Sequence, residues 1–234
     1  VPDLLPLRGK DPDEVMAAIE THRKELETGE TAGPADLLAP EWEVFTSADP
    51  PAPSGDFALN RPDVDPSLTP LFADVVQVER LREVKAFIGF TRIDAPDRAA
   101  EKTARAPLSR GKAEWVPASE VRGEGVFLRL PEPLVAHWED RVLDSRAMEI
   151  HFQAYRQFRR NRRSGREGDF DPGKGWPGPR YMALHTLSHL LIRRIALECG
   201  YSSASIAERI YAGSEDDRRA GILLYTSAPD SEGT

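Results

Sequence analysis

The chain has 234 residues, a net charge of -8 and 40% hydrophobic residues, enough to bury the core of one large domain or two small ones. Its single cysteine, Cys199, excludes an internal disulfide and a cysteine-only zinc site within this chain. Arg193 and Arg194 interrupt the longest apolar run, which excludes an uncharged membrane span, and no signal peptide is visible. We therefore expect a cytoplasmic protein with no membrane contact.

Residues 1–70 predict an acidic helical arm followed by a proline-rich linker. Residues 1–60 hold 4 Lys/Arg against 13 Asp/Glu, a net charge of -9. An Asp-Pro pair is typical of a helix start and glycine of a helix end, which predicts a helix over Asp11–Gly29. A second, short helix is predicted over Ala39–Thr46. Repeated prolines across residues 49–70 are typical of a linker.

Residues 71–140 predict a small β-rich domain. Segments rich in Val, Ile and Phe are typical of strands, and Leu81-Arg-Glu separates the first two of them. Residues 94–112 have no apolar period and predict a long polar loop. The predicted elements are strands over Ala73–Glu79, Val84–Ile93 and Gly125–Leu130, then a short helix from Pro131 through Trp138.

Residues 141–234 predict a C-terminal α/β unit built around a helix that is apolar nearly all round, the pattern of a buried helix. Pro179 suits its first turn, and Gly200 suits the left-handed residue that ends it. The predicted elements are helices over Val142–Arg163, Tyr181–Cys199 and Ser202–Ile210, then a buried strand over Gly221–Thr226. The fold class is therefore α+β, with a helical N-terminal arm, a small antiparallel sheet and this C-terminal unit.

A basic cluster marks the end of the predicted helix over Val142–Arg163. Residues 141–200 hold 12 Lys/Arg against 6 Asp/Glu, and Tyr155 and Phe158 lie among the arginines. Arginine suits bidentate phosphate contacts and stacking on bases, so we predict nucleic-acid contact. The alternatives are a solvated basic helix end, which the helix dipole favours, and an acidic protein partner. The cluster comprises Arg156, Arg159, Arg160, Arg162, Arg163 and Arg166.

His185 and His189 are four residues apart, the spacing that lets two imidazoles of one helix share a zinc ion. A metalloprotease motif needs glutamate at position 186, where this chain has Thr186. Three interpretations stay open: buried histidines that hydrogen-bond core neighbours, an interface or polyanion contact, and a metal site. The first is favoured, and no metal ligand is assigned.

No catalytic set emerges from the sequence. Gly123-Glu-Gly lacks the lysine of a phosphate-binding loop and is better explained as a tight turn or bulge. Ser188 and Ser231 lie outside any G-x-S-x-G motif. The paired carboxylates of Asp230 and Glu232 are more simply a turn that caps a following helix. We therefore predict that the chain is not an enzyme.

Three C-terminal blocks resemble a known family. They are H-T-L-S-H-x-L from His185, G-Y-S-x-A-S-x-x-E-R-I-Y from Gly200, and G-I-L-L-Y-T-x-x-P-D-S-E-G-T from Gly221. The family is the DrmB-like helicase-associated proteins of the DISARM antiphage defence system, whose C-terminal region of unknown function is shared with MrfA-type helicases. Blocks that begin at Arg80, Gly89, Trp115 and Gly123 are also similar to this family.

The resemblance implies a non-catalytic subunit that stabilises a DrmA-like helicase or translocase and contributes to DNA binding in antiphage defence. Family members usually continue into a cysteine cluster thought to bind zinc. We expect the chain to be a fragment without a cofactor of its own, with zinc in a C-terminal portion beyond it. Two alternatives remain: a hydrolase or nuclease whose site is completed beyond this chain, and an assembly scaffold without DNA contact.

Overall fold

The computed structural model describes residues 37–87, 89–90, 106, 108–109, 115–161, 171–214 and 216–227. Within them, the helices are α1 (Leu38–Thr46), α2 (Glu132–Val142), α3 (Arg146–Asn161) and α4 (Gly178–Cys199). The strands are β1 (Phe57–Asn60), β2 (Asp74–Ala86), β3 (Ala118–Arg129), β4 (Ile206–Gly213) and β5 (Arg218–Thr226). The predicted helix over Asp11–Gly29 and nearly all of the predicted loop over residues 94–112 lie outside the described residues.

The five strands form one antiparallel sheet in the order β1-β2-β3-β5-β4. Strands β2 and β3 pair along almost their whole length, from Asp74 opposite Arg129 to Ala86 opposite Ala118. Strand β5 then pairs with β3 on one side and β4 on the other. The α+β class is confirmed, and strands from residues 71–140 and 141–234 share this sheet.

The two faces of the sheet carry two hydrophobic clusters, because side chains alternate between faces along a strand. Leu223 and Tyr225 of β5 lie on the face covered by α1, whose Phe45 stacks on Phe127 at 4.8 Å between ring centroids. Ile222 and Leu224 lie on the opposite face, against α4. Strand β5 is therefore buried on both faces, which explains its unbroken apolar run.

A buried arginine fixes the start of α4. Arg180 is 6% exposed, and its guanidinium donates to Glu132 Oε2 and Glu139 Oε2 of α2, both at 2.7 Å. It also donates to the carbonyl oxygen of Arg219 on β5 at 3.1 Å. Because these contacts join two helices and a strand, they position the helix that carries both histidines.

The prediction of two separate strands, over Ala73–Glu79 and Val84–Ile93, is wrong, because one strand runs from the first segment into the second. Strand β2 runs unbroken through Leu81-Arg-Glu, with an irregular register between Val78 and Leu81. The charged residues interrupt the apolar pattern, but β3 supplies hydrogen-bond partners on both sides of the irregularity. Long-range pairing therefore outweighs the local signal for a break.

The predicted helix over Val142–Arg163 is also wrong at its start. Helix α2 already includes Val142, and a turn separates it from α3, which begins at Arg146. Ser145 makes this break, because its hydroxyl oxygen accepts a hydrogen bond from the amide of Met148 at 3.3 Å, the pattern of a helix N-cap. Arg162 and Arg163 lie outside the described residues.

The predicted helix over Ser202–Ile210 is wrong. A single 3₁₀ turn covers Ser203–Ser205, and β4 follows at once. The alternation along β4 places Ile206 and Ile210 against α4 and Tyr211 against α1. The segment is a strand because β5 offers it an unpaired edge, a partner that local sequence does not show.

The predicted C-terminal helix is confirmed, but its complete burial is not. It begins at Gly178, includes Pro179 in its first turn and ends at Gly200, whose φ is 75°. Leu184 and Ile192 are buried on the face toward the sheet, whereas Leu197 is 82% exposed. None of the described helices meets the length and hydropathy needed to cross a membrane.

Candidate metal centre and basic helix

Three metal-ligating side chains converge between α4 and β4. Glu208 lies on the α4 face of β4, and its Oε1 is 3.0 Å from Nε2 of His185. The same oxygen is 3.5 Å from Nε2 of His189, and the two Nε2 atoms are 3.0 Å apart. The helix supplies two candidate ligands one turn apart, and the strand supplies the third.

Neighbouring side chains hold these groups in place. Ser188 lies between the two histidines in sequence and is fully buried, and its hydroxyl contacts both the Glu208 carboxylate and the carbonyl oxygen of His185. The Tyr181 ring stacks on the His185 imidazole at 5.6 Å between centroids. A hydrogen bond to a ligating carboxylate, such as the one from Ser188 to Glu208, is the kind of outer contact expected around a metal ion.

The favoured interpretation is wrong about the burial of the two histidines, although the contact of His185 with the Glu208 carboxylate at 3.0 Å fits the expected hydrogen bonding. The side chain of His185 is 43% exposed and that of His189 is 59% exposed. Both project from the side of α4 that the sheet does not cover completely. Glu208 is the residue that sequence reasoning missed, since it lies 19 positions beyond His189 in a segment predicted to be helical. Its only signal was its place in the E-R-I-Y block.

The spacing of the three atoms is close to that of ligands around a tetrahedral zinc ion, and two of the three distances are about 0.3 Å shorter. Zn–N and Zn–O bonds of about 2.0–2.2 Å place neighbouring ligands of a tetrahedron roughly 3.3–3.5 Å apart. The three edges observed here are 3.0, 3.0 and 3.5 Å. Two histidines and one glutamate form a known zinc ligand set, in which a fourth position stays open to water or substrate.

The basic cluster begins on α3. The Arg156 guanidinium lies over the Phe152 ring at 5.6 Å, and that of Arg159 lies over the Tyr155 ring at 6.0 Å. Arg160 is exposed. The other three predicted residues, Arg162, Arg163 and Arg166, lie outside the described residues.

The aromatic residues of α3 also have a packing role. Phe152 contacts Trp176 at 5.0 Å between ring centroids, and the Trp176 indole donates to Nδ1 of His151 at 2.9 Å. The Tyr155 hydroxyl donates to the carbonyl oxygen of Lys174 at 3.2 Å. These contacts hold residues 171–176 against α3, so Phe152 and Tyr155 have a packing role that needs no stacked base, whereas Phe158 is 52% exposed.

A second polar network lies on the α1 face of the sheet. Glu83 accepts hydrogen bonds from Arg209 at 2.7 Å and from the Tyr225 hydroxyl at 2.9 Å. Glu41 pairs with Arg209 at 3.1 Å and accepts from the Tyr211 hydroxyl at 2.9 Å. Burial and the hydrogen bond to Glu83 raise the pKa of Tyr225 to about 12. Sequence reasoning missed this network, whose members come from α1, β2, β4 and β5.

These features define an α+β domain with a layered sheet and a His-His-Glu cluster on its C-terminal half. The C-terminal residues 187–234 match the family model of the MrfA Zn-binding domain. The chain is 32% identical over 203 residues to the DISARM protein DrmB of Bacillus paralicheniformis, a match that covers 83% of this chain. The chain spans 33% of the length of that relative. The predicted resemblance to DrmB-like proteins is confirmed.

Proposed function

We propose that this chain is part of an antiphage defence component that stabilises a helicase or translocase and contributes to DNA binding. The observation that carries the proposal is the 32% identity to a DISARM protein DrmB across most of the chain. The proposed partner is a DrmA-like motor subunit that hydrolyses ATP, while this chain is accessory.

The basic end of α3 supports the DNA contact. Arg159 and Arg160 lie in the last turn of this helix, and Arg156 lies one turn earlier. Arginine binds phosphate through a planar fork of donors, and contacts of this kind dominate the affinity of proteins for DNA. The surrounding chain is acidic overall, so a local positive surface directs a polyanion to this end of the helix.

Salt-dependent DNA binding tests this surface. We expect the variant with Arg156, Arg159 and Arg160 changed to glutamine to bind duplex DNA more weakly than the unaltered chain. Each lost phosphate contact lowers the slope of log affinity against log salt by about 0.9, so the slope should fall by up to about 3. Fluorescence anisotropy of a labelled duplex at several salt concentrations measures both quantities.

A matched control separates the local effect from the change in net charge. Arg141, Arg193 and Arg194 are exposed on α2 and α4, and their change to glutamine removes the same three charges. We expect this control to keep most of the salt slope. Equal slopes for the α3 variant and the unaltered chain would refute the DNA contact.

The scaffold alternative predicts a different result from the same variants. If α3 binds the motor protein, DNA binding is weak from the start, and the α3 variant loses the helicase in a pull-down. The experiment tests whether each variant captures a DrmA-like helicase in a pull-down, with and without nucleic acid. Retention of the helicase together with loss of DNA supports the accessory DNA-binding role.

We also propose that this chain binds zinc, because its residues 187–234 match the MrfA Zn-binding domain. The sequence contains only Cys199, so any zinc held by this chain needs histidine or carboxylate ligands. In this proposal zinc binds in the C-terminal half, separate from the DNA surface on α3.

A further inference from the structure

We propose that His185, His189 and Glu208 bind one zinc ion, which ties α4 to β4 and keeps a fourth coordination position open to solvent. This assignment rests on the zinc-binding part of the proposed function and names its residues. It is independent of the DNA surface and of the antiphage role.

Hydrogen bonds cannot account for all three contacts among the two Nε2 atoms and Glu208 Oε1 at the same time. A neutral imidazole carries one N–H, and an ionised carboxylate carries no proton. If both Nε2 atoms are protonated, two donors face each other across the 3.0 Å separation of the rings. If only His185 is protonated at Nε2, the lone pair of His189 faces Glu208 Oε1 at 3.5 Å without a hydrogen between them. A divalent cation at the centre attracts all three lone pairs.

The ligand types favour a transition metal, and the match to a zinc-binding family favours zinc among these metals. Imidazole nitrogen suits zinc and similar transition metals, whereas magnesium and calcium prefer oxygen ligands. Two nitrogens and one carboxylate oxygen therefore favour zinc over the abundant hard cations. The exposed fractions of both histidines leave the site accessible to the ion and to a water ligand.

The scaffold restrains the site before metal arrives. His185 and His189 project from successive turns of α4, and the hydroxyl of Ser188 holds the other oxygen of the Glu208 carboxylate. Strand β4 is fixed by its pairing with β5 from Ile206 to Gly213. Little reorganisation is then needed on binding, and the ion would join the helix to the edge of the sheet.

The experiment measures zinc by elemental analysis and by titration with Zn²⁺ after removal of metal. We expect one zinc per purified chain. His189→Ala and Glu208→Gln should each weaken binding by more than about 100-fold, because loss of an outer partner alone costs 10–100-fold. His137→Ala is the matched control, since His137 is exposed on α2 and is not part of the cluster, and this change should leave binding unchanged. Substitution with Co²⁺ should give the visible absorption of a four-coordinate site.

The outcomes separate this assignment from the broader zinc proposal. One zinc per chain that is lost in His189→Ala and Glu208→Gln, with circular dichroism unchanged, supports the site. One zinc retained by both variants overturns the assignment and leaves zinc binding elsewhere in the chain. If the unaltered chain holds no zinc, before or after titration, both the assignment of these ligands and the proposal that the chain binds zinc are overturned. If Glu208→Gln fails to fold, zinc binding by His189→Ala, which changes an exposed side chain, and the Co²⁺ spectrum still show whether the metal binds at this site.

Discussion

At the scale of single residues, adjacent side chains of β4 make contacts on opposite faces of the sheet. Glu208 joins the histidines of α4, while Arg209 pairs with Glu83 and Glu41 on the α1 face. Burial alone would raise the pKa of Glu83, but hydrogen bonds from Lys85 and Tyr225 and the charge of Arg209 outweigh it and hold that pKa below its usual value. The ionised form of Glu83 therefore stabilises the folded chain.

This depressed pKa predicts a pH-dependent effect of Glu83→Gln. At pH 7 we expect the variant to lose about 2 kcal/mol of unfolding free energy, the typical contribution of hydrogen bonds to a charged group. The contribution is present above the unfolded pKa of about 4.3 and is lost as pH falls through the folded pKa. The difference in unfolding free energy between the unaltered chain and the variant should become smaller below pH 4.

Urea unfolding across this pH range measures this difference. Glu79→Gln removes an exposed carboxylate from the same strand and should change the unfolding free energy little at any pH. A difference for Glu83→Gln that stays constant from pH 7 to pH 3 would contradict the role of the ionised carboxylate.

At the scale of elements, the close approach of β3 and β5 determines how the sheet is assembled. Gly123-Glu-Gly lies inside β3 and provides this approach. Of the two predicted alternatives, a tight turn or a bulge, the tight turn is not formed, whereas the register is irregular opposite these residues, between Val78 and Leu81 of β2. A Cβ atom at Gly125 would lie 2.3 Å from the carbonyl oxygen of Leu224 and 2.9 Å from the Cα atom of Tyr225. The absent side chain lets β5 pair with β3.

Gly125→Ala should therefore destabilise the chain. We expect a loss of about 1–3 kcal/mol, the usual cost of overpacking, because the backbone of β5 has to move. Thermal and urea unfolding measure the change. Gly55→Ala is the control, since a Cβ atom there would meet nothing within 4 Å. Equal stability of Gly125→Ala and Gly55→Ala would show that the two strands adjust without cost.

At the scale of the described molecule, the candidate sites lie on different elements. The His-His-Glu cluster joins α4 to β4, and the basic surface is carried by α3. This separation lets the zinc site and the DNA surface be tested by different substitutions.

We expect the purified chain neither to hydrolyse ATP nor to cut DNA. The sequence contains no nucleotide-binding loop, and position 186 of the histidine pair is threonine rather than the glutamate that metalloprotease chemistry requires. Phosphate release with and without DNA, and cleavage of a labelled oligonucleotide with Mg²⁺ or Zn²⁺, measure the two activities. Metal-dependent cleavage that is lost in His185→Ala would contradict this expectation and favour the hydrolase or nuclease alternative.

The sequence by itself determined the elements whose signals are local. Proline and glycine mark the ends of α4, a short apolar run marks β5, and the i, i+4 spacing pairs His185 with His189. Tertiary structure alone decided that residues 206–213 form a strand, because the edge of β5 supplies hydrogen bonds that no local pattern records. The same pairing brings Glu208 to the histidines, and one-sided packing of α4 leaves them exposed. The candidate metal site therefore depends on a contact between distant segments, which periodicity and spacing do not encode.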